Sequence, residues 1–316
     1  MYISFKDKVA VVTGAGAGLG RSYAIFLASR GAKVVVNDLG GSWDGVGQSK
    51  TAAMRVVEEI QAAGGKAVPN FDSVADPEAA QNIIRAALDN FGTIDILVCN
   101  AGILRDKTFL KMSLNDFDLV MKVHLMGTVY TARAAFPVMK EKSYGRIVMT
   151  TSVAGLFGNF GQTNYSTAKM GIIGFMNSLK LEAQKYNILI NTIAPSAATR
   201  LNEPSGFFPK EISPFLRSEL VTAMVAYLCS DQCQSTGYIL SAGGGYFSRV
   251  QIVEGQGIRF DPSDDITPEI IFENFSKITD MKNAVGHFSA TDGIKKSLGF
   301  LFKRKPGRGE KEGSEK

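Results

Sequence analysis

Cysteine and histidine are scarce in this 316-residue sequence, which has three cysteines and two histidines. Cys99, Cys229 and Cys233 form no C-x-x-C pair, and none stands beside a histidine. The ligand spacing of a zinc site and the cysteine framework of a small secreted domain are therefore both missing, and we expect no metal. No uncharged stretch reaches the roughly 18 apolar residues that a membrane span requires. The charged N-terminus is unlike a signal peptide, so we expect a reduced, cytoplasmic compartment.

Positive charge is concentrated at the C-terminal end. Residues 295–316 contain eight Lys/Arg and three Glu, whereas the rest of the chain holds 27 basic and 27 acidic side chains. The net charge of +5 therefore describes the tail and gives no support for a nucleic-acid partner. We expect a solvated, weakly ordered end, with contact to anionic lipid or a partner as the alternative.

Apolar β-rich runs alternate with helix-period segments along most of the chain. The runs cover 8–13, 33–38, 66–71, 95–100, 145–150, 188–195 and 237–243, and the helical segments cover 19–30, 51–63, 77–91, 113–140, 163–186 and 217–230. Strands that are apolar throughout and separated by helices indicate a parallel sheet covered on both faces. We predict an α/β, doubly wound, Rossmann-like fold of seven strands.

This alternation ends near residue 250, which suggests three parts. Residues 1–250 form the predicted α/β domain, and 251–280 form an extension packed on or near it. A capped helix is expected over 266–280. Residues 281–316 form the basic tail. The glycine-rich loop 39–50 is long for its position after the second strand.

The stretch TGAGAGLG at 13–20 follows the first strand and opens a helix. Gly14, Gly18 and Gly20, with Leu19 between the last two, allow a tight turn and close approach to a pyrophosphate. The helix N-terminus supplies N–H donors and a favourable dipole. A glycine-rich loop alone is weak evidence, but the order of strand, loop and helix predicts a dinucleotide site.

Asp38 ends the second strand, eighteen residues after Gly20. A carboxylate there can accept hydrogen bonds from both ribose hydroxyls of NAD, and it would repel the extra phosphate of NADP. No Lys or Arg lies within 14–20, and Leu39 follows Asp38. We predict NAD, with a turn or capping aspartate as the alternative.

Two further strand ends fit the same cofactor. Asp72 and Ser73 follow the third strand, where an adenine ring would lie. Asn100, Ala101 and Gly102 follow the fourth strand, where small residues allow a ribose to come close. Ordinary turn chemistry is the alternative at both places.

The stretch SVAGLFGNFGQTNYSTAKMG begins at Ser152 and contains Tyr165 and Lys169. The tyrosine and lysine are four residues apart on a helix and share a face. An ammonium near a phenol lowers its pKa and makes it a usable acid or base. Ser152 follows the fifth strand, at the edge of the sheet that carries the glycine loop. The set suggests hydride transfer at a carbinol carbon, although Y-x-x-x-K alone is a common surface pattern.

Together these motifs resemble the short-chain dehydrogenase/reductase family over about residues 5–250. The resemblance implies an NAD-binding domain over 1–250, with Ser152, Tyr165 and Lys169 as catalytic residues. It places Asn100 in the cofactor pocket and Lys169 on the nicotinamide ribose. It also implies a homodimer or homotetramer joined through the fourth and fifth helices.

The sequence departs from the family pattern at two places. His124 stands where the family has asparagine, so either it supports the same water-linked proton path or it is a buried structural histidine. After the sixth strand Pro195 is retained, but Ser196 replaces glycine. Thr199 could still contact the cofactor.

Several stretches, among them VHLMGT and GLFGNFGQTNYSTAKMG, resemble the dehydrogenase domains of peroxisomal multifunctional enzymes type 2. Those domains oxidise (3R)-hydroxyacyl-CoA with NAD. The chain ends in SEK, not in a peroxisomal signal, so we expect a free-standing cytoplasmic enzyme. The alternatives are a hydroxysteroid or cyclic-alcohol dehydrogenase and, more remotely, a non-catalytic nucleotide-binding protein. We expect a substrate lid over 196–216, with Phe207, Phe208 and Phe215 as pocket or anchor residues.

Overall fold

The computed structural model describes residues 2–199, 209 and 211–299. Contacts divide them into two compact units, one ending at Val250 and the other beginning at Gln251. About half of the predicted lid, residues 200–208 and 210, lies outside the described residues, and Phe207 and Phe208 are among them. Phe215 is described: it ends a short 3-10 turn, Ser213–Phe215, and its side chain is exposed.

An eight-stranded sheet forms the centre of the first unit. Its strands are β1 (Val9–Thr13), β2 (Lys33–Asn37), β3 (Lys66–Asn70), β4 (Ile96–Cys99), β5 (Gly145–Thr150), β6 (Ile188–Ser196), β7 (Ile239–Gly243) and β8 (Tyr246–Val250). Their order is β3-β2-β1-β4-β5-β6-β7-β8, and β1 to β7 are parallel. The order reverses between β1 and β4, where doubly wound sheets bind ligands at the carboxyl ends of the strands. The predicted fold class is confirmed.

The eighth strand was not predicted. β8 runs antiparallel to β7 at the edge of the sheet, with Gly243 paired to Tyr246. Gly244 and Gly245 both have positive φ, +57° and +84°, as a two-residue hairpin turn requires. A Gly-Gly pair between two runs with β propensity is a readable hairpin signal, so the prediction of seven strands was wrong for a recognisable reason.

Helices cover both faces of the sheet. They are α1 (Gly18–Ser29), α2 (Thr51–Ala62), α3 (Pro77–Phe91), α4 (Leu114–Met121), α5 (Gly127–Glu141), α6 (Val153–Phe157), α7 (Thr163–Ala183) and α8 (Ser218–Cys229). Val34 and Val36 of β2 pack in the core that includes residues of α1, α2 and α8, whereas Val35 packs in the core that includes residues of α3, α5 and α7. Because successive strand residues face opposite ways, an apolar run supplies both cores.

The long helix predicted over 113–140 is interrupted. α4 ends at Met121, a π-helical turn covers Lys122–Met126, and α5 begins at Gly127. Periodicity could not show this, because the segment is apolar on a helical period throughout. π-turns within α-helices are frequent at functional sites, and this one carries His124.

In residues 251–299, the described part of the second unit, there are two helices and a small antiparallel pair of strands. α9 (Pro268–Ile278) begins with Thr267 at its N-cap position, and β9 (Val253–Glu254) pairs with β10 (Val285–Gly286). α10 (Ala290–Leu298) is capped reciprocally by Ser289 and Asp292. This S-x-x-D capping box is a sequence signal for a helix start, and the prediction of weak order over this stretch overlooked it.

Candidate active site

The glycine loop between β1 and α1 is tied to the end of β4. Gly14 has φ +63°, and a Cβ atom there would lie 2.7 Å from Ala101 Cα, so a side chain does not fit. The side-chain amide of Asn100 donates to the carbonyl oxygens of Thr13 and Gly14 at 3.0 and 3.1 Å. Thr13 Oγ1 accepts from the backbone N–H groups of Asn100 and Ala101 at 3.0 and 3.1 Å. Thr13 was not among the predicted site residues, although it begins the glycine motif.

Asp38 joins this loop to the segment after β2. Its Oδ2 accepts from the N–H of Gly16 at 2.7 Å, and its Oδ1 accepts from the N–H of Gly40 at 2.7 Å. The residue is buried. Two backbone donors therefore fix the carboxylate at the cavity described below, and each oxygen keeps capacity for a further hydrogen bond.

An asparagine pair supports the ends of β2 and β3. Asn37 Nδ2 donates to Asn70 Oδ1 at 2.8 Å and to Asp72 O at 2.9 Å, and Asn70 Nδ2 donates to Asp72 Oδ2 at 2.7 Å. Asn37 and Asn70 are partners in the strand register. Neither was singled out from the sequence. The sequence signal that could have identified them is that each is a polar residue at the end of an apolar strand.

A cavity of about 230 Å³ opens at the carboxyl ends of β1, β2 and β4. Of the residues predicted to bind cofactor, those that line it are Gly14, Gly18, Leu19, Asp38, Asp72, Ser73, Asn100, Ala101, Gly102 and Thr199. Gly20, Pro195, Tyr165 and Lys169 are not among the lining residues. The close approach at Gly14, the N-terminus of α1 and the fixed carboxylate of Asp38 together fit a dinucleotide.

Tyr165 lies beside this cavity, in the first turn of α7. Its half-buried ring packs in a cluster with Ile103, Leu119 and Val123, all three of which line the cavity. His124 meets the ring edge-on, with centroids 5.1 Å apart and planes at 90°. The tyrosine ring therefore belongs to the same apolar cluster as three of the side chains that line the cavity.

Ser152 and Asp106 act on the pKa of Tyr165 in opposite directions. Burial has the largest effect and raises that pKa to about 12, a hydrogen bond with the Ser152 side chain lowers it, and the carboxylate of Asp106 raises it. Ser152 Oγ also accepts from the N–H of Ala154 at 3.1 Å and caps α6. The sequence predicted a lowered pKa for Tyr165, whereas burial raises it, and the effect of Lys169 on the phenolate stays a prediction.

Lys169 shares the helix face of Tyr165, as its spacing predicted. Its Nζ lies 5.5 Å from the centroid of the tyrosine ring and donates to Thr150 O at 2.7 Å. The side chain is buried, and burial lowers its pKa to about 7. Lys169 can therefore gain or lose a proton near neutral pH.

His124 is buried in the π-turn and bonded to the backbone after β4. Its Nε2 lies 2.7 Å from Ile103 O and 3.1 Å from Ile103 N. Burial, with the nearby charge of Lys169, lowers the pKa of His124 well below its usual range, so the imidazole is neutral. With Nε2–H donating to Ile103 O, the lone pair of Nδ1 is buried without a partner among the described residues.

The fold and the cavity define a dinucleotide-binding protein of the doubly wound class. The sequence model of the short chain dehydrogenase family matches residues 8–205, and the chain belongs to that family. It is an oxidoreductase that uses a nicotinamide dinucleotide and interconverts a secondary alcohol and a ketone.

Three comparisons illustrate the relationship. A short-chain type dehydrogenase/reductase of Mycobacterium tuberculosis is 49% identical over 279 residues, which are 88% of this chain and 96% of the relative. Full-length peroxisomal multifunctional enzyme type 2 of Drosophila melanogaster superimposes with a TM-score of 0.80 at 39% identity, over 95% of this chain and 50% of that one. A 7α-hydroxysteroid dehydrogenase, solved with NADH and 7-oxo glycochenodeoxycholic acid, superimposes with a TM-score of 0.68 at 28% identity. The match covers 77% of this chain and 95% of that one. The chain thus spans about half of the Drosophila enzyme.

The described residues contain neither a metal-binding cluster nor a membrane-spanning helix. Among them no group of three or more His, Cys, Asp or Glu side chains is arranged to hold a metal ion. No helix in this part of the chain combines the length and apolar character needed to cross a membrane.

Proposed function

We propose that this protein oxidises a 3-hydroxyacyl-CoA to the 3-oxoacyl-CoA with NAD, and that Tyr165 handles the hydroxyl proton. The observation that carries the proposal is the position of Tyr165. Its ring packs against the residues that line the dinucleotide cavity, Ser152 hydrogen-bonds its side chain, and Lys169 is buried on the same helix face.

Each side chain of this group has a distinct role. Ser152 binds the substrate oxygen, and Tyr165 takes the proton of the substrate hydroxyl during oxidation and returns it during reduction. Lys169 stabilises the phenolate and holds a ribose hydroxyl of the cofactor. A nicotinamide dinucleotide, when bound, would supply the hydride acceptor or donor, and the positive charge of its oxidised form would favour the phenolate of Tyr165.

The preference for NAD is assigned to Asp38. Two backbone N–H groups hold its carboxylate at the cavity, where it would accept hydrogen bonds from ribose hydroxyls and repel a 2′-phosphate. The other residues expected to hold the dinucleotide are the cavity-lining set given above. Asp38→Ala should reduce the ratio of kcat/KM for NAD to that for NADP by at least about tenfold. An unchanged ratio would show that another residue sets the preference.

An acyl substrate is supported by an exposed apolar surface on two segments, one before α4 and one before α7, the helix that carries Tyr165. The N–H of Lys107 donates to Gly161 O at 2.9 Å, which joins the segments that precede α4 and α7. These two segments expose a set of large apolar side chains: Phe109, Leu110, Phe157 and Phe160. An apolar surface of this kind suits an acyl chain. The likeness to multifunctional enzyme type 2 supports the same substrate class.

A hydroxysteroid is the second candidate, because a hydroxysteroid dehydrogenase shares the fold at 28% identity. NADH formation should be measured with three substrate panels: 3-hydroxyacyl-CoA thioesters of both configurations, hydroxysteroids and cyclic alcohols. The proposal expects the highest kcat/KM with a 3R-thioester. Turnover of steroids alone would favour the second candidate, and NAD binding without any turnover would favour a non-catalytic nucleotide-binding protein.

We further propose that the protein is a homodimer or homotetramer joined through the two long helical segments, α4 with α5 and α7, and that it acts in the cytoplasm. Light scattering of the purified chain tests the first point, and cell fractionation tests the second. Monomeric mass or recovery in an organelle fraction would contradict the respective statement.

A further inference from the structure

The loop 39–50, between β2 and α2, forms one wall of the dinucleotide cavity. Gly41, Ser42 and Trp43 of this loop line the cavity. The loop is closed on itself, since the N–H of Ser49 donates to Leu39 O at 3.0 Å and the N–H of Ser42 donates to Val46 O at 2.9 Å. It contains four glycines, so its backbone would lose much conformational entropy each time it became ordered.

Two hydrogen bonds fasten this loop to the segment after β4. The N–H of Leu104 donates to Trp43 O at 3.0 Å, and Arg105 Nε donates to Asp44 O at 2.9 Å. The same guanidinium donates through Nη1 to Asp116 Oδ1 at 2.7 Å. Arg105 therefore bridges the loop and α4 through two nitrogens of its planar guanidinium fork.

The bridge is sheltered from solvent. The side chains of Arg105 and Asp116 are 25% and 13% exposed, and Ser113 Oγ donates to the second oxygen of Asp116 at 2.7 Å. A charge-assisted hydrogen bond in such a place is stronger than one on an open surface. The contact is therefore able to hold the loop in one position.

The backbone of Arg105 also reaches the helix that carries Tyr165. Asn164 Nδ2 donates to Arg105 O at 3.1 Å, and Asn164 Oδ1 accepts from the N–H of Tyr165 at 2.7 Å. Asn164 is fully buried. One residue thus connects the cavity wall to the first turn of α7.

We propose that Arg105 is a positioning residue, which sets the affinity for the dinucleotide by fastening the loop 39–50 as a preformed wall of the cavity. Arg105 does not line the cavity itself, so it acts through the loop. When the guanidinium is removed, each binding event has to order the loop, and that cost appears as weaker binding. The inference rests on the proposed function for its ligand.

The loop contains Trp43, the only tryptophan of the chain, so its fluorescence reports on the loop. We would measure Trp43 fluorescence, acrylamide quenching and NAD affinity in Arg105→Ala, Arg105→Lys and the wild-type protein. Arg105→Ala should weaken NAD binding about tenfold and make Trp43 more accessible to acrylamide. Its kcat at saturating NAD should change less than about threefold. Arg105→Lys should lie between the other two, since an ammonium cannot reproduce the fork.

Lys107→Ala is the matched control. Lys107 Nζ lies 3.6 Å from the same Asp116 carboxylate, but its side chain is more exposed and no hydrogen bond joins it to the loop among the contacts of the described residues. This variant should keep the affinity and the Trp43 signal of the wild type. Should Arg105→Ala fail to fold, Asp116→Asn removes the ionic partner from the other side and should weaken NAD binding in the same direction.

Wild-type affinity and quenching in Arg105→Ala would overturn the inference, and so would equal losses in Lys107→Ala. A wild-type protein that binds no NAD would instead contradict the proposed function. The two failures are therefore distinguishable in one set of titrations.

Discussion

Different interactions position the residues at the two ends of the site, the cofactor end and the chemical end. At the cofactor end, backbone geometry dominates: Gly14 has no room for a side chain, and backbone N–H groups position Asp38. At the chemical end, buried side chains dominate, and their burial shifts the pKa of Lys169 and of Tyr165. The first end is encoded in short stretches of sequence, whereas the second depends on what the whole fold packs around each group.

Removal of the Tyr165 hydroxyl should have the largest effect on activity, and it should affect the chemical end and not the cofactor end. Tyr165→Phe should lower kcat about 10³-fold or more, because the acid/base group is lost while the ring still packs against His124. NAD affinity, measured by titration, should stay within about threefold of the wild type. Full activity would contradict the proposed mechanism, and loss of NAD binding would show that the two ends are not separable.

A methyl group at Gly14 should damage the opposite end. Gly14→Ala places Cβ 2.7 Å from Ala101 Cα at a φ of +63°, so the loop must move. We expect NAD affinity to fall about a hundredfold. Gly174→Ala is the matched control: it lies in α7 with nothing within 4 Å of the added atom, and it should stabilise the protein by up to about 1 kcal/mol.

Equal NAD affinities in Gly14→Ala and Gly174→Ala, measured by the same titration, would contradict the steric argument. A loss in both would indicate a general sensitivity to substitution rather than a tight contact at the loop.

The same contrast explains what could be predicted from sequence. The glycine loop, Asp38 and Asn100 were found because each follows an apolar strand, and parallel strands bring their carboxyl ends to one edge. The bonds of Asn37 with Asn70 depend on register between strands, which no local pattern shows. The π-turn at His124 and the raised pKa of Tyr165 depend on tertiary packing, and sequence periodicity carries no information on either.

The burial of Lys169 at the chemical end should lower the stability of the folded protein by a measurable amount. Its pKa is about 7 in the folded protein and 10.5 as the ordinary value. Between these values the unfolded chain holds a proton that the folded chain lacks, so stability rises with pH across that window. Lys169→Met has no such group. We expect it to be inactive, and more stable than the wild type below pH 7 by on the order of 2–3 kcal/mol, with the advantage shrinking towards pH 10.

Urea unfolding at pH 6.5 and pH 9.5 checks this expectation. Lys180→Met is the control for activity, because Lys180 is also a buried lysine of α7 but lies away from the cavity; it should keep NADH formation. If the difference in unfolding free energy between Lys169→Met and the wild type is the same at both pH values, burial does not lower the pKa of Lys169.

The smallest effect concerns the contact where the two ends meet. Gly102 lines the cofactor cavity, and a Cβ atom there would lie 2.3 Å from His124 Cε1. Gly102→Ala should therefore destabilise the wild type by about 2 kcal/mol, but by about 1 kcal/mol less in a His124→Asn background, where the smaller side chain leaves room. Urea unfolding of the two single variants and the double variant measures this coupling. Additive losses of stability in the double variant would mean that the backbone at Gly102 relaxes away from the ring, and the two ends would then be independent even where they touch.

If His124 only fills space, the pH profile of kcat should be the same in His124→Asn as in the wild type; a shifted profile would instead assign the imidazole a part in proton transfer.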